Sequence, residues 1–254
     1  MFMLVSIAHY LIEFINEARW RLFPRQVSQE EIKFLDSHFP YFSRLKTPFR
    51  KEFIGKLEMI LSTKRFIGRG GLEEVTWQME ILIGAILTMV TFGWKRLKLA
   101  HFHTILIYPN PYFSTINRTY HKGEVNPKHG LIIISWKSFI EGLADFGDGV
   151  NLGIHEMAHA LKLANFIHTD GEREFNLQAW EEYKKWSPAE MQKIQLGHPT
   201  IFRDRGGVDE HEFFAVAVEA FFEKGKEFKN YHPDLYKALT LLLRQDPLNL
   251  LTLE

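Results

Sequence analysis

The chain has no cysteine, no net charge and no uncharged apolar run long enough to span a bilayer. Without cysteine it forms neither disulfides nor thiolate metal sites, so any metal must be bound by histidine and carboxylate side chains. Because 31 basic residues balance 31 acidic ones, we expect no nucleic-acid partner. The absence of cysteine is typical of a cytoplasmic protein, and we expect that location.

Two uncharged apolar runs are present, at residues 1–12 and 81–94. Both are shorter than the roughly 20 residues that a membrane-spanning helix needs. We expect the first run to form a helix docked on the domain, with a weak contact to a membrane surface as the alternative. No basic segment precedes it, so we expect no secretory signal. The second run predicts a buried helix, and no firm membrane association follows.

At 254 residues, the chain has the length for one large domain or two small ones. Residues 1–70 have a helical pattern, with a helix start at residues 28–31 and apolar residues at helical spacing from 49 to 67. The Gly-Arg-Gly-Gly segment at 68–71 predicts a joint between an N-terminal helical region, 1–70, and a second domain, 71–254. The alternative is that residues 1–254 pack as one domain.

The remaining elements predict a mainly helical α+β fold with a small sheet. A helix is predicted at 76–92, and strands at 104–108 and 130–136 with a polar loop at 112–128 between them. Helices follow at about 209–223 and 233–244. Between 165 and 208 we expect loop and short helices, including one at 180–186.

The most informative segment is His155-Glu156-Met157-Ala158-His159, an H-E-x-x-H pattern inside an apolar, helix-compatible stretch. Residues four apart lie on one face of a helix, so both imidazoles can reach one metal ion, and Glu156 then points at a water on that metal. This composition would produce the pattern roughly 0.05 times by chance. The pattern indicates a zinc hydrolase. The alternative is an amphipathic helix whose polar face holds two histidines by coincidence.

Two histidines and a water leave zinc one protein ligand short. The extended pattern with a third histidine is absent, because Lys162 and Asn165 stand where its glycine and histidine belong. His168 lies further on, in a predicted loop. The nearly all-apolar helix near residue 212 offers carboxylates instead. We expect Glu212 to be the third ligand and Glu219 to accept a hydrogen bond from a ligand histidine, the alternative being ordinary surface acids.

These residues and several others resemble the zinc-dependent peptidases grouped with Mlc titration factor A. The H-E-[FV]-A-H helix of that family is matched at residues 155–159. Its third-ligand segment, a Glu followed by F-F-A-V, an acid and F-F, is matched at 212–222. The strand end at 107–109, the Ser-Trp pair at 135–136 and the closing residues 235–247 are similar too. The similarity runs from about residue 53 to residue 247, and residues 1–50 carry no assigned motif.

The resemblance implies a zincin-like fold of the gluzincin kind, with zinc bound by His155, His159 and Glu212 and with Glu156 as the general base. It implies a cytoplasmic bacterial peptidase, aminopeptidase-like on small substrates, so the expected substrate is a peptide or protein. It also implies a regulatory protein partner, a transcriptional repressor, which no residue of this chain identifies. In the family pattern a Tyr seven residues before the ligand Glu helps to stabilise the oxyanion, and Arg205 stands there in this chain.

The expected mechanism is hydrolysis by a zinc-activated water. Glu156 takes the proton of that water and passes it to the leaving amine. The negative charge on the carbonyl oxygen is stabilised by Arg205, or alternatively by Tyr108, Tyr112 or Tyr120. We therefore count Glu156 and Arg205 as the candidate catalytic residues.

Two further expectations remain open. We expect the strand at 130–135 to be the sheet edge along which an extended peptide lies, plain sheet packing being the alternative. The first rival function is a catalytically weak or inactive zinc-binding protein that acts through protein–protein contacts, which the missing Tyr favours. The second is a helical interaction module with a coincidental motif.

Overall fold

The structure is a computed structural model that describes residues 22, 24–94, 99–114, 119–166 and 175–252. Its helices are α1 (Gln29–His38), α2 (Pro40–Arg44), α3 (Thr47–Thr63), α4 (Trp77–Val90), α5 (Trp136–Ala144), α6 (Leu152–Phe166), α7 (Leu177–Gln195), α8 (Glu210–Glu223), α9 (Gly225–Tyr231), α10 (Pro233–Leu243) and α11 (Pro247–Leu250), with a 3-10 turn at Asp204–Gly207. Its strands are β1 (Arg65–Gly68), β2 (Thr104–Tyr108), β3 (Tyr112–Ser114), β4 (Thr119–His121), β5 (Gly123–Asn126) and β6 (Leu131–Ser135). The helix expected at residues 1–12 and the side chain of His168 lie outside the described residues.

Four strands form one mixed sheet in the order β1-β2-β6-β5, and β3 and β4 form a separate antiparallel pair. β1, β2 and β6 run parallel, with Ile105 opposite both Phe66 and Ile132. β5 runs antiparallel to β6. Helices supply most of the structure, so the mainly helical α+β class is confirmed. Helix α6, which contains the H-E-x-x-H segment, packs on β5 and β6.

Helices α6 and α8 begin at side-chain caps that fix their start positions. The Oδ1 atom of Asn151 accepts a hydrogen bond from the backbone N–H of Ile154 at 3.1 Å. At the start of α8, Asp209 Oδ1 accepts from the backbone N–H groups of His211 and Glu212 at 2.7 and 2.9 Å. Such caps satisfy N–H groups that the first turn of a helix leaves unpaired. The caps therefore fix the residues at which α6 and α8 begin.

Helix α8 is held in place by burial along its length. Ten consecutive residues, 213–222, are buried, and four of them are Phe. Each buried Phe contributes roughly 1.5–3 kcal/mol through loss of apolar surface from water. The Nζ atom of Lys162 on α6 also donates a hydrogen bond to the backbone carbonyl of Glu210, at 2.8 Å. The hydrogen bond joins the two helices close to His159 on α6 and to Glu212 on α8.

Two stretches have a secondary structure that differs from the sequence prediction. Residues 65–67, predicted to continue a helix, form β1, because the chain becomes extended at Lys64 and pairs with β2. Residues 112–128, predicted to be a loop, contain β3, β4 and β5. These strands are three or four residues long and mostly polar, so they lack an alternating apolar pattern. Pairing with a partner strand decides their conformation.

In the described part of residues 165–208, the long helix α7 and the 3-10 turn at Asp204–Gly207 are found where short helices were predicted from sequence. α7 has 19 residues and contains Pro188 in its interior. A proline usually ends or kinks a helix, which explains the shorter prediction. The buried face of α7, which includes Tyr183, Ser187 and Ile194, keeps the helix packed across that proline.

The prediction that residues 130–135 form the sheet edge is wrong. β6 lies inside the sheet, between β2 and β5, and the outer position belongs to β5. The division at residue 70 stays a prediction. The pairing of β1 with β2 joins residues from both sides of it and favours the one-domain alternative. No helix in the described part of the chain has the length and hydropathy to cross a bilayer.

Candidate metal centre

Three side chains of metal-ligand type converge where α6 faces α8. The Nε2 atoms of His155 and His159 lie 3.1 Å apart. Glu212 Oε2 lies 3.2 Å from the Nε2 atom of His155, and its Oε1 lies 3.7 Å from that of His159. Zinc bonds of about 2.0–2.2 Å give tetrahedral edges of about 3.3–3.6 Å. The three separations therefore fit a single divalent ion, and within the described residues no other such cluster is found.

Without a metal, the pKa values of Glu212 and His159 favour their metal-binding forms, whereas the raised pKa of His155 favours its protonated form, which must lose a proton to bind a metal. Burial raises the pKa of Glu212, but hydrogen bonds from His155 and Arg205 outweigh it and lower that pKa to about 2. Burial and the neighbouring His155 lower the pKa of His159 to about 3. Burial also lowers the pKa of His155, but its hydrogen bonds to Glu212 and Glu219 raise it to about 9. An ionised carboxylate and a neutral imidazole are the forms that bind a metal cation.

Glu219 contacts the His155 ring at its Nδ1 atom and so fixes the orientation of the ring. This carboxylate is fully buried, and its Oε1 lies 2.6 Å from the Nδ1 atom of His155. The same oxygen accepts a hydrogen bond from Arg203 Nη2 at 2.6 Å, and Oε2 accepts one from the backbone N–H of Asn151 at 2.8 Å. With Nδ1 engaged, the Nε2 atom of His155 is left to face Glu212. The expected contact between Glu219 and a histidine is confirmed, and its role in metal binding stays a prediction.

Glu156 is buried and borders a cleft of about 490 Å³. His155 and residues 120–123, from β4 and β5, line the same cleft. Burial raises the pKa of Glu156 to about 7; His155 opposes this shift, and the Glu212 charge adds to it. A carboxyl group with a pKa near neutrality can accept a proton and then release it. The geometry thus places a carboxyl group suited to proton transfer next to the cluster of three candidate ligands.

Arg205 lies at the cleft but is engaged by the candidate ligand. Its Nε and Nη2 atoms donate to the two carboxylate oxygens of Glu212 at 2.6 and 3.0 Å. Among the tyrosines, Tyr120 lines the cleft, whereas the hydroxyl of Tyr112 donates to Glu124 Oε2 at 3.0 Å.

Tyr108 is stacked on the Tyr112 ring, with 4.5 Å between the ring centroids. Tyr108 therefore packs against Tyr112 and does not line the cleft.

Comparison with known proteins decides the family. The family model of the glucose-regulated metallo-peptidase M90 matches residues 14–244. The chain belongs to this family. The matched range includes α6 and α8, so both helices of the candidate centre are part of the M90 match. The metallopeptidase class implied by the sequence resemblance is therefore supported by a match over residues 14–244.

Individual relatives agree with the M90 assignment. An uncharacterized protein of Synechocystis sp. is 26% identical over 268 aligned residues, which cover 96% of this chain and 95% of the relative. Proteins named Mlc titration factor A, from Yersinia pestis and Yersinia pseudotuberculosis, are each 25% identical over 227 residues and 83% of both chains. The resemblance to the family of Mlc titration factor A is thus confirmed.

Three residues around this candidate centre are not predicted from sequence: Arg203, Asn151 and Gly123. Asn151 does carry a usable signal, because Asn directly before an apolar helical run is a frequent N-cap. Arg203 precedes a 3-10 turn, and Gly123 begins a short strand that the sequence presents as loop. Only the folded chain brings these two residues to α6.

Proposed function

We propose that this protein is a zinc-dependent metallopeptidase with a zincin-like fold of the gluzincin kind. In this proposal His155, His159 and Glu212 bind zinc, and Glu156 is the general base. The observation that carries it is the convergence of a carboxylate from α8 on two imidazoles of α6, beside a buried acid–base group at a cleft. Membership of the M90 family supports the peptidase class and a peptide substrate.

The residues around the centre divide the work of hydrolysis. A bound zinc ion supplies the Lewis acid that activates water and polarises the scissile carbonyl. Glu156 accepts the proton of the attacking water and donates it to the leaving amine, and a pKa of about 7 suits both transfers. Arg205 uses two N–H donors on Glu212 and has three others for the negative charge that develops on the carbonyl oxygen.

The cleft supports a proposal for how a peptide lies in it. Because β5 is an edge strand of the sheet and its first residue lines the cleft, we place an extended substrate alongside β5 rather than β6. Tyr120 and Val150, which are 73% and 47% exposed, offer apolar contacts to substrate side chains. Glu141 and Asp148 also line the cleft and offer partners for a free α-amino group, in keeping with aminopeptidase-like cleavage.

One observation favours the rival function, a catalytically weak or inactive zinc-binding protein acting through protein contacts. Arg205, which replaces the Tyr of the family pattern, is paired through both its Nε and Nη2 atoms with Glu212. An intact, buried Glu156 favours catalysis, since a purely structural site has no use for it. Relatives named Mlc titration factor A suggest a regulatory protein partner by analogy. That partner and a cytoplasmic location belong to the proposal.

The Glu156→Gln variant tests the proposed chemistry. We expect it to bind zinc like the parent and to lose kcat by about 100-fold or more, because the amide cannot accept the proton. Aminoacyl-nitroanilide and short peptide substrates, with chelator and zinc add-back, give the activities, and elemental analysis gives the metal content. Glu182→Gln, an exposed carboxylate of α7 that does not line the cleft, is the matched control and should keep its turnover. Unchanged hydrolysis by Glu156→Gln would rule out this role, and a parent without zinc-dependent hydrolysis would favour the rival function.

A further inference from the structure

Strand β5 and helix α6 approach each other most closely at a glycine. A Cβ atom built on Gly123 would lie 2.4 Å from Oε1 of Glu156 and 2.6 Å from both its Cδ and Cγ. Any residue larger than glycine would therefore occupy the space of this carboxylate. Glu156 is 5% exposed and borders the cleft, so a Cβ atom at position 123 would push its carboxylate out of its present place toward the cleft.

The backbone conformation does not explain the glycine. Gly123 is absent from the glycines with positive φ, so an alanine could adopt its conformation without strain. Glycine also weakens a strand, because it has no side chain to pack and loses more entropy on folding. In a strand interior it often marks a point where another group approaches closely. Here the approaching group is the carboxylate of Glu156.

We infer that Gly123 is a positioning residue, whose missing side chain sets the place of the Glu156 carboxylate between α6 and the outer strand. Val125, two residues along β5, points to the same face of the sheet and packs against the core, which fixes the strand on that side. The carboxylate of Glu156 can therefore lie this close to β5 only because residue 123 has no Cβ atom. The effect of Gly123 on catalysis rests on the proposed function, in which Glu156 is the general base and the peptide substrate lies alongside β5.

The contact itself can be tested without any activity, by urea unfolding of the metal-free protein. Gly123→Ala is compared in two backgrounds, the parent and Glu156→Ala. In the parent background we expect a lower urea midpoint, because the carboxylate must leave its place. In the Glu156→Ala background we expect no loss or a small gain, because alanine suits a strand better than glycine. Equal shifts in both backgrounds would overturn the inference. Failure of Gly123→Ala to fold in the parent alone supports it.

The catalytic consequence is tested with the zinc-loaded enzyme. We expect Gly123→Ala to keep its zinc and its KM while kcat falls by about 100-fold, as a displacement of about 1 Å does. Adding Glu156→Asp, a shorter carboxylate, should cost less kcat in the Gly123→Ala background than in the parent. Gly147→Ala is the matched control, because a Cβ there meets nothing within 4 Å. A Gly123→Ala enzyme with parental kcat contradicts the positioning role. If the parent hydrolyses nothing, the proposed function fails, and the unfolding comparison still decides the contact.

Discussion

Glu212 and Glu219 lie two turns apart on α8, and their surroundings give them different tasks. Glu212 is partly exposed, faces both imidazoles and is bound by Arg205. Glu219 is fully buried and faces the Nδ1 atom of His155. A carboxylate on the far nitrogen of a ligand histidine fixes the ring and raises its basicity. The first is suited to bind the metal and the second to orient a ligand.

We predict that Glu219→Gln lowers zinc affinity by about 10- to 100-fold, because the neutral amide no longer fixes His155. Competition with a chelator of known affinity measures the change. Glu210→Gln is the control on the same helix. The Glu210 side chain is exposed and is not part of the His155, His159 and Glu212 cluster. Equal losses in both variants would show a general effect on α8 instead.

Site residues can be predicted from the sequence where the pattern that reveals them is local. His155, Glu156 and His159 are recognisable because their spacing is local and the helix period brings them together. Glu212 is recognisable because a carboxylate in an apolar helix needs a cation or a donor. Arg203 contacts His155 and Gly123 contacts Glu156, each from more than 30 positions away along the chain, so no local sequence pattern predicts these contacts.

The start of α6 is clamped to α8 by several hydrogen bonds. The side chain of Asn151 caps α6, and its Nδ2 donates to the carbonyl of Gly142 and to Glu223 Oε1, both at 3.0 Å. Its backbone N–H donates to Glu219. Two carboxylates thus lie at the N-terminal end of a helix, where the helix dipole favours negative charge. This arrangement holds the H-E-x-x-H helix in register with the helix that carries Glu212.

We predict that Asn151→Ala lowers the free energy of unfolding by about 2 kcal/mol and also weakens zinc binding. The first effect follows from loss of a cap and of its partners, and the second from loss of register between α6 and α8. Urea denaturation and chelator competition measure them. Asn176→Ala removes the cap of α7, away from the centre, and should lower stability without changing zinc affinity. Parallel effects of the two variants on zinc would refute the clamp.

Helices and strands differ in how well the sequence predicts them. The strands at 104–108 and 131–135 are aliphatic runs bounded by turn residues, and the structure confirms both. The helix start at Ser28 is confirmed as a capping box with Glu31. β5, by contrast, forms because it can pair with the free edge of β6, and this pairing depends on the tertiary structure and not on a local sequence pattern. The wrong assignment of the sheet edge followed from missing that one strand.

Stability of the whole chain should depend on pH through a buried amine. Lys64 lies buried between α3 and β1, and its Nζ donates a hydrogen bond to the carbonyl of Leu99. Burial lowers the pKa of Lys64 from 10.5 to about 7. Between these values the unfolded chain binds a proton that the folded chain does not. The free energy of unfolding contributed by this group therefore rises with pH, by up to about 1.4 kcal/mol per pH unit.

We predict that Lys64→Met removes this rise between about pH 7 and pH 10. The free energy of unfolding of the variant exceeds that of the parent most near pH 7, and this difference shrinks as the pH increases. Urea denaturation of parent and variant across this window measures the difference. Lys185→Met, at an exposed position of α7, is the control and should follow the parent. A constant difference between Lys64→Met and the parent would show that Lys64 does not titrate in this range.

The account as a whole depends on one ion bound jointly by α6 and α8. The most direct measurement is the zinc content of the chain after chelation and zinc add-back, for the parent, Glu212→Ala and the control Glu210→Ala from the same helix turn. The account predicts one zinc per chain in the parent and the control and a sharp loss in Glu212→Ala, because removal of a ligand leaves two imidazoles. A Glu212→Ala protein that binds zinc as tightly as the parent would contradict it.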